Sequence, residues 1–313
     1  PFYSIVSILG LSIGLASCLL IFSYWSYERS YDTFYSDADR IYRIYQEVEL
    51  PNGEISTSAS TFSRVGQSLS SEFSGAESVL RMHLNGQNTS LQYGETILSQ
   101  DGMMGVENNF FELFDFKFLS GSKQNWLRTP QAVILTEEVA TKLFGEEDPL
   151  GKAIIITGVY GSYGQNGYEE FKNYTVAGVI ENVPGNTHLD FSLLISLGVF
   201  ANPEREFPNW GESFHTYVKL TDPSLAPTLE ETLSNLGETT FADSGYKQYS
   251  MPVTDIHLKS DFLNEFKANG SEQLLILLAA LAALVLIVAG CNYINFATAR
   301  LLQRDKEVNL RKI

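Results

Sequence analysis

The chain contains 313 residues, 37 of them acidic and 21 basic, so its formal net charge is −16 at pH 7. Nucleic-acid-binding proteins neutralise phosphates with clustered Lys and Arg, and an acidic balance of this size argues against that class. The composition is unevenly distributed, because residues 1–27 and residues 273–299 carry no charged side chain. Each of these stretches has the length of a membrane span.

Residues 1–27 are predicted to form the first transmembrane helix, because about 20 apolar helical residues cross the hydrocarbon of a bilayer. Gly10, Gly14 and Cys18 recur every four residues and form a stripe of small side chains, where another helix can approach closely. Glycine is also common in membrane helices without such a contact. A cleaved signal peptide fits less well, since the basic residues before its apolar core are missing. A lipoprotein cleavage box ending at Cys18 also fits less well, since the apolar run continues beyond it.

Aromatic residues follow this first apolar stretch. Tyr24, Trp25, Tyr27, Tyr31 and Tyr35 lie near its predicted outer end. Amphipathic rings settle at the depth of lipid headgroups, so these residues predict an interfacial belt and require no ligand.

Residues 28–272 are predicted to form a domain outside the cytoplasm. This part holds 35 acidic and 16 basic residues, whereas residues 300–313 hold five basic and two acidic ones. Short basic segments are retained in the cytoplasm, while translocated domains tolerate acidic residues. Cys18 and Cys291 both lie in the apolar stretches, so the domain has no disulfide, and a domain of this length can fold without one.

Strand and helix patterns are mixed along the middle of the chain. Extended apolar runs predict strands, and apolar residues at helical spacing predict helices. The predicted strands are 41–50, 91–99, 131–135, 173–180, 189–197, 214–220 and 249–258, and the predicted helices are 62–73, 137–145 and 225–236. A phenylalanine-rich stretch at 110–118 is too dense to lie on a surface. The pattern lacks strict βα alternation and predicts an α+β domain, whose length allows two subdomains.

The stretch from Gly145 to Gly151, followed by Lys152 and Ala153, looks at first like a phosphate-binding loop. Walker A spacing requires four residues between the glycines and a Ser or Thr after the lysine. Here five residues intervene, three of them acidic, and Ala153 has no hydroxyl. We therefore predict a turn and no nucleotide at this point.

Metal and catalytic patterns are not found in the sequence either. His83, His188, His215 and His257 are scattered, and no HExxH or CxxC spacing occurs. Outside the two apolar stretches, the sequence contains no GxSxG spacing either. His188 and Asp190 lie two residues apart, on the same side of a predicted strand, and we expect a surface pair there. An enzyme in this domain has no positive support, so we expect no catalytic residue, metal or cofactor.

Residues 273–299 are predicted to form the second transmembrane helix, and residues 300–313 begin a cytoplasmic segment. The candidates for coupling to a partner protein are Arg300, Arg304, Glu307, Arg311 and Lys312. The basic residues also satisfy the positive-inside preference, which by itself explains their presence. The chain begins with proline and stops within this segment, as a piece of a longer polypeptide would.

Several stretches, taken together in their order along the chain, resemble a known protein family, although no single motif above does so. They are 8–16 (ILGLSIGLA), 28–34 (ERSYDTF), 38–43 (ADRIYR), 109–116 (NFFELFDF), 135–137 (LTE), 143–152 (LFGEEDPLGK), 186–189 (NTHL), 291–300 (CNYINFATAR) and 306–312 (KEVNLRK). Together they resemble the MacB/FtsX-type family of bacterial ABC transporter permeases, including the periplasmic core domain between that family's first two membrane helices. Asn309 departs from the family, which usually has glycine there.

The resemblance implies a membrane protein of the bacterial inner membrane, in which two transmembrane α-helices flank an α+β periplasmic domain. It implies the N-terminal half of a multi-pass permease that works with a separate ATP-binding subunit, so this chain itself needs no cofactor. Permeases of the family act as dimers of units or halves, and a periplasmic or outer-membrane partner is compatible with this arrangement. Movement transmitted to the periplasmic domain is expected to drive efflux or export of peptides, drugs or lipoproteins.

A different class of protein shares this layout. Transmembrane sensors and receptors also place an extracytoplasmic ligand-binding domain between two membrane helices. Their second helix continues into a heptad-patterned linker, whereas residues 307–312 begin a basic run. Sequence beyond Ile313 distinguishes the two classes, because a permease has further spanning segments.

Overall fold

The computed structural model describes residues 2–85, 89–128, 131–157, 172–197 and 212–310. The chain forms two compact units. One contains both ends of the chain, up to Tyr31 and from Gly270, and the other contains Asp32–Asn269. We call the first the helical unit and the second the sheet domain.

The helices and strands have the following bounds. The helices are α1 (Phe2–Glu28), α2 (Ser63–Glu72), α3 (Phe110–Leu113), α4 (Lys123–Arg128), α5 (Glu137–Phe144), α6 (Ala226–Thr239), α7 (Ile256–Lys259) and α8 (Glu272–Leu310). The strands are β1 (Ile41–Glu49), β2 (Ile55–Ser58), β3 (Thr61–Phe62), β4 (Ala76–Asn85), β5 (Thr89–Tyr93), β6 (Thr96–Gln100), β7 (Met103–Val106), β8 (Phe118–Gly121), β9 (Ala132–Thr136), β10 (Ala153–Thr157), β11 (Lys172–Ile180), β12 (Leu193–Ser196), β13 (Glu212–Leu220) and β14 (Tyr246–Pro252).

The helical unit consists of α1 and α8. Ile8–Glu28 and Glu272–Thr298 are long and apolar enough to cross a membrane, with mean hydropathies of 1.9 and 3.1. Their large apolar side chains are exposed, as at Leu20 (72%) and Ile13 (66%), which suits a lipid environment. The pair of apolar flanking helices predicted from the sequence is confirmed. Helix α8 contains 39 residues and runs to Leu310, past its predicted end at residue 299.

Among the described residues, one sheet of 14 strands runs through the sheet domain. Its order is β14-β1-β13-β4-β7-β12-β9-β11-β10-β5-β6, with β2 added to β1, β3 to β13 and β8 to β11. Strands β7 and β12 are parallel, as are β9 and β11, and the other neighbouring pairs are antiparallel. Mixed pairing of this kind, with helices packed on the sheet, matches the predicted α+β class.

The core is layered about the sheet, because neighbouring residues along a strand point to opposite faces. One cluster gathers around Leu80, Met104 and Phe110 and includes the phenylalanine-rich stretch. Two further clusters form under helices, since α2 and α6 pack on β1 and β13, while α5 packs on β9 and β11. The three clusters share one continuous sheet, and Asp32–Asn269 forms a single compact unit.

Three of the predicted strands are shorter or broken in the structure. Residues 91–99 lie in the hairpin of β5 and β6, because Gly94 adopts a left-handed backbone (φ 57°) that turns the chain. The strand predicted over 249–258 ends at Pro252, which cannot donate to the ladder, and α7 follows. Of residues 189–197, only Leu193–Ser196 form a strand. The spacing of apolar residues does not show where a turn or a proline ends a strand.

The stretch that looked like a phosphate loop forms a turn. Gly145 follows α5 with φ 61° and Gly151 has φ 75°, so both adopt backbone conformations that favour glycine. The Lys152 ammonium is bound to Glu147 and lies 5.0 Å from the ring centroid of Tyr93. The lysine is therefore already engaged by neighbouring side chains of the domain.

Candidate coupling site

The small-residue stripe of α1 lies against α8. A Cβ atom added to Gly14 would lie 3.2 Å from Cβ of Ala289 and 3.5 Å from Cγ1 of Val285. The first distance is tighter than an ordinary carbon contact, so this close approach depends on glycine. A Cβ atom added to Gly290, on α8 itself, would meet nothing within 4 Å among the described residues.

Gly10 and Cys18 extend this contact along α1. A Cβ atom on Gly10 would lie 3.4 Å from Nδ2 of Asn292, and the Cys18 thiol donates a hydrogen bond to the Ala282 carbonyl at 3.4 Å. Later positions on α1 meet earlier positions on α8, so the two helices are antiparallel. The predicted packing residues thus contact the second helix of the same chain, and their role in transmitting motion stays a prediction.

The residues predicted to couple to a partner protein belong to the end of α8. Arg300, Arg304 and Glu307 lie in its final turns, where the backbone is helical. Arg311 and Lys312 lie outside the described residues. Their coupling role stays a prediction.

The N-terminal connector, residues 32–40, begins with a buried aspartate. The Asp32 carboxylate accepts hydrogen bonds from the Thr187 hydroxyl at 2.6 Å and from the His188 backbone N–H at 3.1 Å, and its Oδ1 atom lies 2.9 Å from Nδ1 of His188. Its backbone is left-handed (φ 58°), which Asp tolerates better than most residues, and its N–H donates to the Asn186 carbonyl. Asp32 therefore fixes the start of the sheet domain to the turn that contains these three residues.

Two tyrosines extend this group into the core. The Tyr35 hydroxyl shares a hydrogen bond with Thr187 Oγ1 at 2.9 Å, and the Tyr217 hydroxyl shares one with Nε2 of His188 at 2.8 Å. Burial, with Asp32 nearby, raises the pKa of Tyr35 well above its usual value, and burial also raises the pKa of Tyr217. Both phenols therefore stay neutral. We call Asp32, Tyr35, Thr187, His188 and Tyr217 the anchor cluster.

Two sequence expectations about these residues are wrong. Tyr35, expected in an interfacial belt, is 2% exposed and packs edge-on against Phe114. His188, expected to form a surface pair with Asp190, is buried and paired with Asp32, while Asp190 is exposed. His188 and Asp32 are 156 residues apart in the sequence, so local spacing gives no sign of their contact.

The C-terminal connector, residues 260–269, reaches the same turn. The Lys267 ammonium donates a hydrogen bond to the Thr187 carbonyl at 3.3 Å. The ring of Phe266 lies beside that of His188, with centroids 6.3 Å apart. One turn of the sheet domain therefore contacts both the segment that follows α1 and the segment that precedes α8.

His215, on β13, holds the C-terminal connector from the sheet. Its Nε2–H donates to the Asn264 carbonyl at 2.8 Å, and its ring centroid lies 3.9 Å from that of Phe266. Burial lowers the pKa of His215 to about 3. The ring is therefore neutral at physiological pH and contributes to the fold in that form.

We predict that acid weakens the sheet domain partly through His215. Its pKa is about 3 in the folded chain, whereas an unfolded histidine titrates near 6.5. The contribution is fully present above pH 6.5, because both states are then neutral. As the pH falls from 6.5 toward 3, the unfolded state binds the extra proton, and the free energy of unfolding decreases by up to about 1.4 kcal/mol per pH unit.

Thermal unfolding of the parent chain and of the His215→Gln variant, between about pH 7.5 and pH 4.5, measures this contribution. The variant should be less stable near neutral pH but should lose stability more slowly as the pH falls. A His83→Gln variant should retain the steeper slope of the parent. Parallel curves for the parent and His215→Gln would contradict the prediction.

The described part of the chain offers little for a metal or an anionic ligand. Within it, no group of three or more His, Cys, Asp or Glu side chains could hold a metal ion. A groove of about 670 Å³ is lined by residues of α2, β4 and the loop after β7, including Arg81. That guanidinium is bound to Glu107 at 2.6 Å and donates to the Ser63 hydroxyl at 2.9 Å, so protein groups already satisfy it.

These features define a class of protein in which a sheet domain is inserted between two apolar helices. One turn of that domain contacts both the N-terminal and the C-terminal connector. The chain belongs to the MacB-like periplasmic core domain family, which it matches over residues 4–236. The resemblance inferred from the sequence is therefore confirmed. The match includes α1 from residue 4 onward and the anchor cluster, and it ends before the C-terminal connector.

Known proteins agree with this assignment. The macrolide export ATP-binding/permease protein MacB of Bdellovibrio bacteriovorus is 28% identical over 200 residues, which are 61% of this chain and 26% of that protein. The protein of the same description from Neisseria meningitidis serogroup A is 22% identical over 228 residues, 71% of this chain and 31% of that protein. The chain thus spans about a third or less of the length of these relatives. A domain of a putative permease protein from Porphyromonas gingivalis has the same fold, with a TM-score of 0.57 at 18% identity over 79% of this chain and 99% of that one.

Proposed function

We propose that this chain is the N-terminal half of the permease part of an ABC transporter in the bacterial inner membrane, with the sheet domain in the periplasm. The observation that carries the proposal is the turn at Thr187 and His188, which contacts both connectors. Because the two contacts meet at one turn, movement of either membrane helix reaches the sheet domain at the same place. Family membership and the permease relatives support this class of transporter.

ATP hydrolysis is proposed to occur outside this chain. The MacB relatives are named as both ATP-binding and permease proteins, so in them one protein carries both functions. A fused domain or a separate subunit can therefore supply the ATPase, and this chain then needs no cofactor. The basic end of α8 is the proposed contact with it, through Arg300, Arg304, Arg311 and Lys312 together with Glu307. The transporter is proposed to contain two permease units or halves and to act in a multi-pass form.

Efflux or export of peptides, drugs or lipoproteins is the proposed activity. The relatives are macrolide exporters by name, which supports a drug-like compound among the substrates. Residues 28–272 contain 35 acidic and 16 basic residues, and an acidic domain raises the local concentration of cationic compounds. A periplasmic or outer-membrane partner would complete the path out of the cell.

Co-purification tests the proposed class. We expect the full-length protein containing this chain to be isolated in detergent with ATPase activity, either in the same polypeptide or in an ATP-binding subunit encoded beside it. If the ATPase is a separate subunit, its rate should change at least about twofold when the permease is present, because coupling works in both directions. Substituting Arg300 and Arg304 by Glu should weaken that association.

The opposite outcome points to the other class. No association with any ATPase, together with a heptad-patterned helix after Ile313, would identify a transmembrane sensor with an extracytoplasmic ligand-binding domain. The groove beside Arg81 would then be the first place to search for its ligand.

A further inference from the structure

The C-terminal connector has little regular structure, yet many contacts fix its path. Leu263 forms an isolated bridge with Ser58, and its N–H donates to the Thr57 carbonyl at 3.0 Å. The Asn269 amide donates to the Ser260 carbonyl at 2.8 Å, which ties the two ends of the connector together. An irregular segment held in this way differs from an ordinary surface loop, whose backbone moves freely.

Asn264 fixes the middle of the connector. Its backbone is left-handed (φ 63°), a conformation in which Asn is enriched. Its side-chain Nδ2 donates to Ser58 Oγ at 3.1 Å and to Ser60 Oγ at 3.0 Å, while its carbonyl accepts from His215. The same residue is thus bonded to β2, to the loop after it and to β13.

A buried ion pair between Arg43 and Glu265 also holds the connector. Arg43 lies on β1 and is fully buried, and its Nη1 atom is 2.5 Å from Oε2 of Glu265. Among the described residues, its Nε and Nη2 atoms have no hydrogen-bond partner, so its charge depends on this carboxylate. The guanidinium also lies 5.4 Å from the ring centroid of Phe262, another residue of the connector. The Ser260 hydroxyl donates to the second oxygen of Glu265.

We infer that the C-terminal connector is a rigid strut that passes displacement of α8 directly to β1, β2 and β13, with Arg43 and Glu265 as its main positioning residues. Strand β1 directly follows the N-terminal connector, so the strut links the two helices through one part of the sheet. A flexible linker would absorb small displacements of α8 instead of passing them on. The inference rests on the proposed function and adds the residues through which it operates.

Hydrogen exchange of the full-length protein and its ATPase in lipid nanodiscs tests the strut. Exchange is compared without nucleotide and with ATP plus vanadate, in the native protein and in two variants. Glu265→Gln weakens the ion pair, and insertion of Gly-Ser between Asn269 and Gly270 adds slack without replacing any residue of the connector. Asp261→Asn is the matched control, since it makes the same charge change at an exposed position of the same connector.

The native protein and Asp261→Asn should show an ATP-dependent change in exchange at β1 and β13. Both test variants should lose at least about two thirds of this change while ATP hydrolysis continues. In Glu265→Gln, the Leu263 amide should also exchange faster, which reports loosening of the connector independently of ATP. The insertion keeps the test valid even if Glu265→Gln folds poorly.

Two outcomes would overturn the inference, and they are distinguishable. If the insertion variant keeps the full ATP-dependent change, the connector is not a strut, although the proposed function stands. If the native protein shows no ATP-dependent change in the sheet domain, the proposed function fails and the strut fails with it.

Discussion

Replacing Asp32 by alanine should destabilise the sheet domain by about 3 kcal/mol, which corresponds to a fall of roughly 6 to 12 °C in its unfolding temperature. The variant removes the acceptor for the Thr187 hydroxyl and the His188 backbone N–H and leaves both donors buried. It also places alanine at a left-handed backbone position (φ 58°), which costs further free energy.

Thermal unfolding of the whole chain in detergent measures this effect. Asp32→Asn separates its two causes, because asparagine tolerates the left-handed backbone but keeps only part of the acceptor capacity. It should therefore lie between the parent and Asp32→Ala. Asp190→Ala is the control, since Asp190 is exposed and was the partner expected for His188, and it should change the unfolding temperature by no more than about 2 °C. Equal effects of the Asp32 and Asp190 substitutions would show that the anchor cluster does not stabilise the fold.

Replacing Gly14 by leucine should uncouple ATP hydrolysis from transport in the full-length protein. Even a Cβ atom at this position lies 3.2 Å from Ala289, so the three further carbons of leucine must push α1 and α8 apart. We expect expression and ATP hydrolysis to persist, because the change lies in the membrane helices and away from any nucleotide. Transport should fall at least about tenfold if helix packing carries the movement.

Gly290→Leu is the matched control for this prediction, since a Cβ atom there meets nothing within 4 Å among the described residues. Resistance of cells expressing each variant to an exported compound measures transport, and phosphate release from purified protein measures hydrolysis. Full resistance in Gly14→Leu would rule out the packed stripe as the path of movement. Equal loss in both glycine variants would indicate a general intolerance of bulky residues in these helices.

Local patterns in the sequence predicted much of the fold correctly. The strand predicted over 41–50 is β1, the helix predicted over 62–73 is α2, and the phenylalanines around Phe110 are buried. These features depend on periodicity and turn residues within about ten positions, which a sequence displays directly. The order of strands in the sheet depends on pairing between distant segments, and no local pattern contains that information.

The anchor cluster shows the same limit more sharply. Asp32 and His188 are 156 residues apart, whereas the exposed Asp190 lies only two positions from His188. Their burial as a pair depends on the folded sheet and on the left-handed backbone at Asp32. Aspartate tolerates that conformation, but the presence of an aspartate does not predict it. The stretches 28–34 and 186–189, which contain these residues, both carry the family resemblance. The family resemblance therefore included both Asp32 and His188, whereas the local spacing in the sequence paired His188 with Asp190.

The uninterrupted length of α8 has a mechanical consequence. Its apolar part ends at Thr298, but the helix continues to Leu310, which is about twelve residues or 18 Å further. In the proposed topology this extension projects below the bilayer as a lever arm continuous with the membrane helix. A tilt of about 10° around the membrane boundary would move its tip by about 3 Å. A modest rearrangement of a cytoplasmic ATPase would thus suffice to reorient the whole helix.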